Sequence, residues 1–259
     1  MKIKNIVLIG AGNVAYNYAD IIIKKGFNLC QVYSYTRLTA QTFAQKFNIE
    51  WTSEPLKLLK DADLYIIAIK DSEIETIVNK IKINNALVVH TAGSVNSELL
   101  RKCSANYGVL YPLQTLQKNK FIDFYNNVPL LIEANNNQNL NTLEKFAEQL
   151  SNNVRIFSSE QRKSIHIAAV FACNFTKYMY HCSDLLLKDN NLPFELLLPL
   201  IKHTVETVEM DNNLTNMTGP AARGDYKIVA THLAYLSKYK DLKNIYSAIT
   251  KEILDDSKL

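Results

Sequence analysis

The strongest constraint on this chain lies at its start, where Ile3-Lys4-Asn5-Ile6-Val7-Leu8-Ile9 runs straight into Gly10-Ala11-Gly12-Asn13-Val14-Ala15. A short apolar run rich in branched residues suits a strand buried on both faces. A helical stretch to Lys25, a stop at Gly26 and a second apolar run from Leu29 to Tyr33 complete a strand–turn–helix–strand unit. Gly10 permits the tight turn. Gly12 lets the backbone approach a pyrophosphate, whose charge is met by free N–H groups at the helix N-terminus. Ala15 stands where a third glycine is common. In this context the motif predicts dinucleotide binding, with Gly10, Ala11, Gly12, Asn13 and Val14 as cofactor contacts. The bland alternative is a tight turn that binds nothing.

The end of the second strand bears on which dinucleotide is held. Folds that bind NAD usually place a carboxylate there to take the ribose 2′-hydroxyl. Here the residues are Ser34, Tyr35, Thr36 and Arg37. Hydroxyls and a guanidinium suit a 2′-phosphate, so Ser34, Thr36 and Arg37 favour NADP over NAD. Arg37 also reads as a solvated loop residue or one that stacks on adenine.

At 259 residues and 47% hydrophobic, the chain can bury one large core or two smaller ones. Its net charge of +4 comes from lysines and arginines interleaved with acids, with no dense basic block. Nucleic-acid and membrane partners are therefore not expected. Lys2 and Lys4 before an apolar run imitate a signal peptide, but the run is too short and opens a βα unit. Cys30, Cys103, Cys173 and Cys182 form no paired motif, which predicts reduced thiols and a cytoplasmic location.

Strand and helix patterns alternate through the first half. Leu64–Ile69, Ala86–His90, Gly108–Tyr111, Pro129–Glu133 and Val154–Phe157 read as strands. The alternation implies a mostly parallel sheet with helices on both faces. Asn135 to Asn141 reads as a turn, with Asn141 capping a helix and Glu144 closing a capping box. From Ser158 onward helical periods dominate, over roughly 160–188, 193–210, 226–237 and 242–254. The expected domains are a dinucleotide-binding one over 1–155 and a helical substrate or dimerisation domain over 156–259.

A dinucleotide at the carboxyl edge of the sheet leaves its nicotinamide exposed, and the helical domain is expected to cover it and complete a cleft. On the first long helix, His166, Val170, Asn174, Lys177 and His181 recur at three- and four-residue spacing and would share one face. His166 is a candidate acid/base group, since an imidazole trades a proton near neutral pH. Its alternative is a hydrogen-bonded interior histidine. Asn174 is a candidate substrate anchor, while Lys177 and His181 read as solvated.

The loop Asn216-Met217-Thr218-Gly219-Pro220-Ala221-Ala222-Arg223-Gly224-Asp225 offers free N–H groups at Gly219 and a guanidinium at Arg223 for an anionic substrate. Asp225 caps the next helix in this reading. A plain helix–helix connector is the alternative. On the first domain, Ala68 and Lys70 end one strand beside the cofactor, while His90 and Ser94, at the end of the next, could reach substrate; Ser94 reads more readily as a helix cap. After Tyr111-Pro112-Leu113, Gln114 or Thr115 could face the cleft. No Gly-x-Ser-x-Gly, His-Glu-x-x-His or Cys/His cluster at ligand spacing occurs, so neither a hydrolase nor a metal centre is expected.

Taken together, Gly10–Ala15, His90-Thr91-Ala92-Gly93-Ser94, Tyr111–Thr115, His166–Phe175 and Thr218–Asp225 resemble a bacterial family of two-domain proteins of unknown function. That family is similar to deazaflavin-dependent NADP oxidoreductases. More distantly it resembles pyrroline-5-carboxylate reductase and the 6-phosphogluconate and 3-hydroxyacid dehydrogenases. The resemblance implies a Rossmann-like, doubly wound, mostly parallel sheet with an all-helical C-terminal domain. It also implies NADP binding, a helical domain that often dimerises and a site in the interdomain cleft. The hydroxyacid relatives use a lysine on the long helix near where His166 stands, a departure that argues against their mechanism here. The expected activity is NADP-dependent oxidoreduction of a small carbonyl, imine or hydroxy substrate, with a deazaflavin as an optional co-substrate. His166 and Asn174 would be catalytic, and Ser94, Thr115, Gly219 and Arg223 would hold substrate. The alternative is a non-catalytic NADP sensor that dimerises or binds a partner through its helical domain.

Overall fold

A computed structural model describes residues 2–210 and 217–256. Eight strands form one sheet: β1 (Asn5–Ile9), β2 (Asn28–Tyr33), β3 (Glu50–Thr52), β4 (Leu64–Ile67), β5 (Leu87–His90), β6 (Tyr107–Pro112), β7 (Leu130–Ala134) and β8 (Val154–Ile156). Their spatial order is β3-β2-β1-β4-β5-β6-β7-β8. Strands β1 to β6 are mutually parallel, while β7 runs antiparallel to β6 and parallel to β8.

This topology places the site. The chain builds outward from β1 to β3, then returns to the other side of β1 to lay down β4, so the order reverses between β1 and β4. A crevice opens beyond the strand ends at such a reversal. Alternate residues of β1 feed separate cores, Ile6 and Leu8 on one face and Val7 and Ile9 on the other. All four are fully buried, each contributing about 2 kcal/mol of apolar burial. The helices α1 (Asn13–Lys24), α2 (Arg37–Phe47) and α5 (Asn137–Leu150) cover the first face through Tyr18, Ile22, Phe43 and Phe146. Across the sheet, α3 (Ile74–Val78) and a 3-10 turn at Ser97–Lys102 cover the second through Ile74, Ile77 and Leu100. A short α4 (Phe124–Asn127) precedes β7. The fold is thus Rossmann-like and doubly wound.

Two details depart from expectation. Helix α5 begins at Asn137 with Asn136 as its cap, accepting from the Asn139 N–H at 2.8 Å, so Asn141 lies inside the helix. The asparagines act through contacts: the buried Asn139 amide donates to Asn135 Oδ1 at 2.8 Å and to Asn106 Oδ1 at 3.1 Å. The first long helical stretch is also not uniform. It is α-helical as α6 (Ser159–Ala169), π-helical over Val170–Phe175, and α-helical again as α7 (Thr176–Lys188). Bonding from i to i+5 breaks the α-period, so the stripe from His166 to His181 does not persist as one face.

The chain divides into two compact units, Met1–Ala172 and Cys173–Leu259. The division falls inside the π-helical segment, later than the boundary at 155 and 156 expected from the change to helical periods. Side chains of α6 are tied to the sheet of the first unit, as described below. The second unit contains α7, a 3-10 turn at Phe194–Leu197, then α8 (Leu198–Met210), α9 (Tyr226–Tyr235) and α10 (Lys240–Asp256). Asp225 caps α9 through the Ile228 N–H at 3.2 Å. Asn216, named with the preceding loop, lies outside the described residues. All four cysteines are free.

Candidate dinucleotide groove and its histidine edge

Beyond β1 the chain turns through Gly10, whose φ of +122° favours glycine. A methyl there would fall 2.2 Å from the Ala68 carbonyl oxygen, so this position brings β1 and the end of β4 together. The Gly10 N–H donates to the Tyr33 carbonyl at 2.8 Å, tying in β2 as well. Gly12 has the opposite surroundings. A methyl built on it meets nothing within 4 Å, which leaves room for a ligand to reach the backbone.

Gly12 is also the N-cap of α1, with no side-chain cap and no acid in the first turn. The orphan N–H groups of that turn and the positive end of the helix dipole therefore face a groove of about 650 Å³. Gly10, Ala11, Gly12, Asn13 and Val14 line one wall, Tyr33, Ser34, Tyr35, Thr36 and Thr39 a second, and Ala68, Ile69, Lys70, Glu73, Thr76, Ile77 and Lys80 a third. The structure thus brings together every expected cofactor residue except Arg37. Its guanidinium instead lies over the Trp51 ring, 5.5 Å from the centroid. Helix α2 also starts uncapped, with Thr36 at its N-cap and no acid in its first turn. The donors, the open Gly12 and the volume of the groove fit a dinucleotide pyrophosphate.

A second cluster stands at the same sheet edge, beyond β5 and β6. His90, at the end of β5, is fully buried, and its Nδ1 accepts the Ala92 N–H at 3.1 Å. Burial, then the neighbouring Arg162 charge, push its pKa down to about 3, so the ring is neutral. Its side chain is closed off from solvent.

Three residues on, Gly93 faces His166 of α6. On β6, the Tyr111 hydroxyl lies 2.9 Å from His166 Nδ1, with the two rings edge to face at 5.8 Å. Burial, then the Asp71 charge, raise the Tyr111 pKa, so the phenol keeps its proton.

The start of α6 is fixed by charge. The Arg162 side chain, 1% exposed, pairs through Nη1 with Glu133 Oε2 on β7. Its Nη2 donates to the Val95 carbonyl at 2.5 Å and to Ser159 Oγ at 3.1 Å. Glu133 also accepts from Ser97 Oγ and Ser159 Oγ, each at 2.8 Å. Ser158 and Gln161 close a capping box. These ties join the loop after β5, strand β7 and the helix that carries His166.

The remaining expected site residues are divided between the two units. Ser94 is exposed and caps nothing; Asn96 caps the 3-10 turn, accepting from the Glu98 N–H at 2.9 Å. Thr115 is exposed and donates its N–H to Gln114 Oε1 at 2.9 Å. Asn174 lies exposed in the π-helical segment and belongs to the second unit. Gly219 and Arg223 also lie there, joined by an Arg223 N–H to Gly219 carbonyl bond of 3.2 Å, with Gly219 at φ +99°. Sequence reasoning missed Tyr111, Glu133 and Arg162. Only Arg162 carried a signal, a charge four residues before His166 on the same helical face.

Among the described residues, no group of His, Cys, Asp and Glu could hold a metal ion, and no helix is long and apolar enough to cross a membrane.

The fold and groove define a class, the two-unit proteins with an N-terminal dinucleotide-type α/β sheet. Residues 5–94 match the family described as NADP oxidoreductase, coenzyme F420-dependent, and residues 128–253 match a domain of unknown function, DUF2520. A Bacteroides fragilis protein described as a "putative NADP oxidoreductase" is 41% identical, with 98% of each chain covered and a TM-score of 0.89. The chain belongs to the family of that protein. An imine reductase from Myxococcus stipitatus in complex with NADP+ shares the fold at 12% identity, covering 97% of this chain and 92% of its own, with a TM-score of 0.65. The 1-pyrroline-5-carboxylate reductase of Streptococcus pyogenes does so at 13% identity, with 98% of each chain covered and a TM-score of 0.60. No curated protein matches.

Proposed function

We propose that this protein is an NADP-dependent oxidoreductase that acts on a small carbonyl, imine or hydroxy compound. One observation carries the reading: the uncapped N-terminus of α1 opens, beside the unobstructed Gly12, onto a groove at the sheet's reversal point. The Bacteroides fragilis relative and the NADP+ complex of the imine reductase support the same cofactor.

In this reading the first turn of α1 holds the pyrophosphate. Ser34, Thr36 and the second uncapped helix start, at α2, receive the 2′-phosphate. Arg37, over the Trp51 ring, follows directly on Thr36 and is proposed to add its planar donors to the same group. Bound there, the nicotinamide supplies or accepts a hydride. The protein orients the substrate and supplies or removes a proton through His166. From the second unit, Asn174, Arg223 and the Gly219 backbone are proposed as substrate-holding groups on their chemistry, with Ser94 and Thr115 from the first.

The family description makes a deazaflavin an alternative hydride partner, to be tried beside the small-molecule panel. Exposed apolar side chains along α8, among them Leu200, Val205 and Val208, favour a homodimer formed through the helical unit. Free thiols suit a reducing compartment, and the cytoplasm is the proposed location.

Titration with NADPH and NADH tests the reading. NADPH should bind at least tenfold more tightly, and Arg37→Asp should erase the difference. Equal binding of both coenzymes would overturn the NADP assignment. Tight NADPH binding with no consumption of the coenzyme in the presence of 1-pyrroline, cyclohexanone, pyruvate or a deazaflavin would favour the sensor instead.

A further inference from the structure

The Tyr111 hydroxyl has His166 Nδ1 as its hydrogen-bond partner at 2.9 Å. A phenol and an imidazole can share that bond in two ways. If His166 donated from Nδ1, the phenolic hydrogen would need another acceptor. If Tyr111 donates, its single hydrogen is used and the hydrogen left over is the one on Nε2 of the imidazole. Each arrangement leaves one hydrogen over, so donor and acceptor strength decide. A phenol is a stronger acid than an imidazole N–H, and an imidazole nitrogen a stronger base than a phenol oxygen, which favours the second.

The ring has little freedom to choose otherwise. A methyl on Gly93 would stand 2.5 Å from His166 Nδ1 and 2.6 Å from Cγ, so the loop after β5 packs directly against the imidazole. The helix beneath is fixed by Arg162 and Ser159 on Glu133. Strand β6 brings Tyr111 from the other side.

We propose that Tyr111 is the positioning residue of this site. It donates its hydroxyl hydrogen to Nδ1 of His166 and so keeps the proton of the neutral imidazole on Nε2, directed at the substrate oxygen or nitrogen. The inference rests on the proposed role of His166 and deepens it. It predicts a substrate with an acceptor atom next to the carbon that exchanges hydride, as in a carbonyl or an imine. Tyr111 holds the tautomer and ring orientation through His166 and does not touch the reacting atoms.

The test uses the full chain with Tyr111→Phe, which keeps the ring and removes the hydroxyl. Nitrogen-15 NMR of the His166 side chain should show the proton on Nε2 in the wild type and a mixture of tautomers in the variant. Steady-state NADPH consumption with 1-pyrroline and cyclohexanone should show kcat reduced about tenfold, with NADPH affinity unchanged. In His166→Gln, adding Tyr111→Phe should cost nothing more. A wild-type proton on Nδ1, or a tautomer unaltered by Tyr111→Phe, would overturn the proposal. So would losses from the two substitutions that multiply. The NMR arm needs no turnover, so it separates this inference from the proposed function. Wild-type turnover in His166→Gln would remove His166 from the reaction, yet leave the tautomer result to stand or fall by itself.

Discussion

Gly93 and His166 share a space that holds one of their side chains but not both: a methyl on Gly93 would lie 2.5 Å from Nδ1, 2.6 Å from Cγ and 2.9 Å from Cβ of the histidine. All three atoms sit near the root of the side chain, so no small rotation relieves the overlap. Gly93→Ala should therefore displace the whole imidazole and break its bond to Tyr111. Overpacking of this kind costs about 1–3 kcal/mol. A misplacement near 1 Å lowers turnover on the order of a hundredfold. Thermal unfolding and NADPH consumption by the variant check both. Unchanged kinetics would show that the His166 position does not matter.

Gly10 and Gly12 lie two residues apart and should fail in different ways. Gly10 combines φ +122° with a carbonyl oxygen 2.2 Å from its missing methyl. Gly10→Ala should lower stability by several kcal/mol, because both the backbone angle and the contact with β4 are lost. Gly12 faces open groove, so Gly12→Val should cost only the poorer helix cap, a few degrees in melting temperature, and lose at least tenfold in NADPH affinity. Calorimetry and thermal melts of the two variants would separate the roles. A Gly12→Val protein that binds like wild type would place the pyrophosphate elsewhere.

His90 makes the fold sensitive to acid. Its pKa is about 3 when folded, against an ordinary value of 6.5, so between those values the unfolded chain binds the extra proton. Stability then falls as pH drops below 6.5, with a slope approaching 1.4 kcal/mol per pH unit from this group alone. His90→Asn keeps an acceptor for the Ala92 N–H and removes the titration. Urea unfolding between pH 7 and pH 4 should show a shallower loss for the variant. Parallel losses would mean that His90 does not titrate as its burial implies.

The sequence revealed what depends on near neighbours in the chain. The run from Ile3 through Gly10-Ala11-Gly12 carried its own context, and Asp225 capped its helix as its spacing suggested. Strand β3 escaped notice because Glu50–Thr52 is too short to show alternation. The asparagines near 135 were misread as a turn because propensity ignores the buried bonds of Asn139. The π winding at Val170–Phe175 left no trace in the apolar spacing. At the site, Tyr111 meets His166 across 55 residues, and Arg162 reaches Glu133 across 29. Contacts at that range are set by strand order, and no local pattern records them.

Arg162 and Glu133 supply the sharpest test of how the histidine helix is held. The arginine is 1% exposed, and its charge is met by one carboxylate, one carbonyl and one serine hydroxyl. Glu133→Gln places an amide nitrogen or an uncharged oxygen where Oε2 stood and leaves the guanidinium buried without a counter-charge. Removing one partner of such a pair costs about 3–5 kcal/mol, which for a chain of this size corresponds to a fall in melting temperature of roughly 6–20 °C. Replacing both, with Glu133→Leu and Arg162→Met, removes the two charges together and should recover much of that loss. The double variant should thus melt above Glu133→Gln. It should still lose turnover, because Ser159 and the Val95 carbonyl no longer anchor the turn of α6 below His166. A double variant less stable than the single one would show that the pair contributes net stability beyond cancelling its own burial.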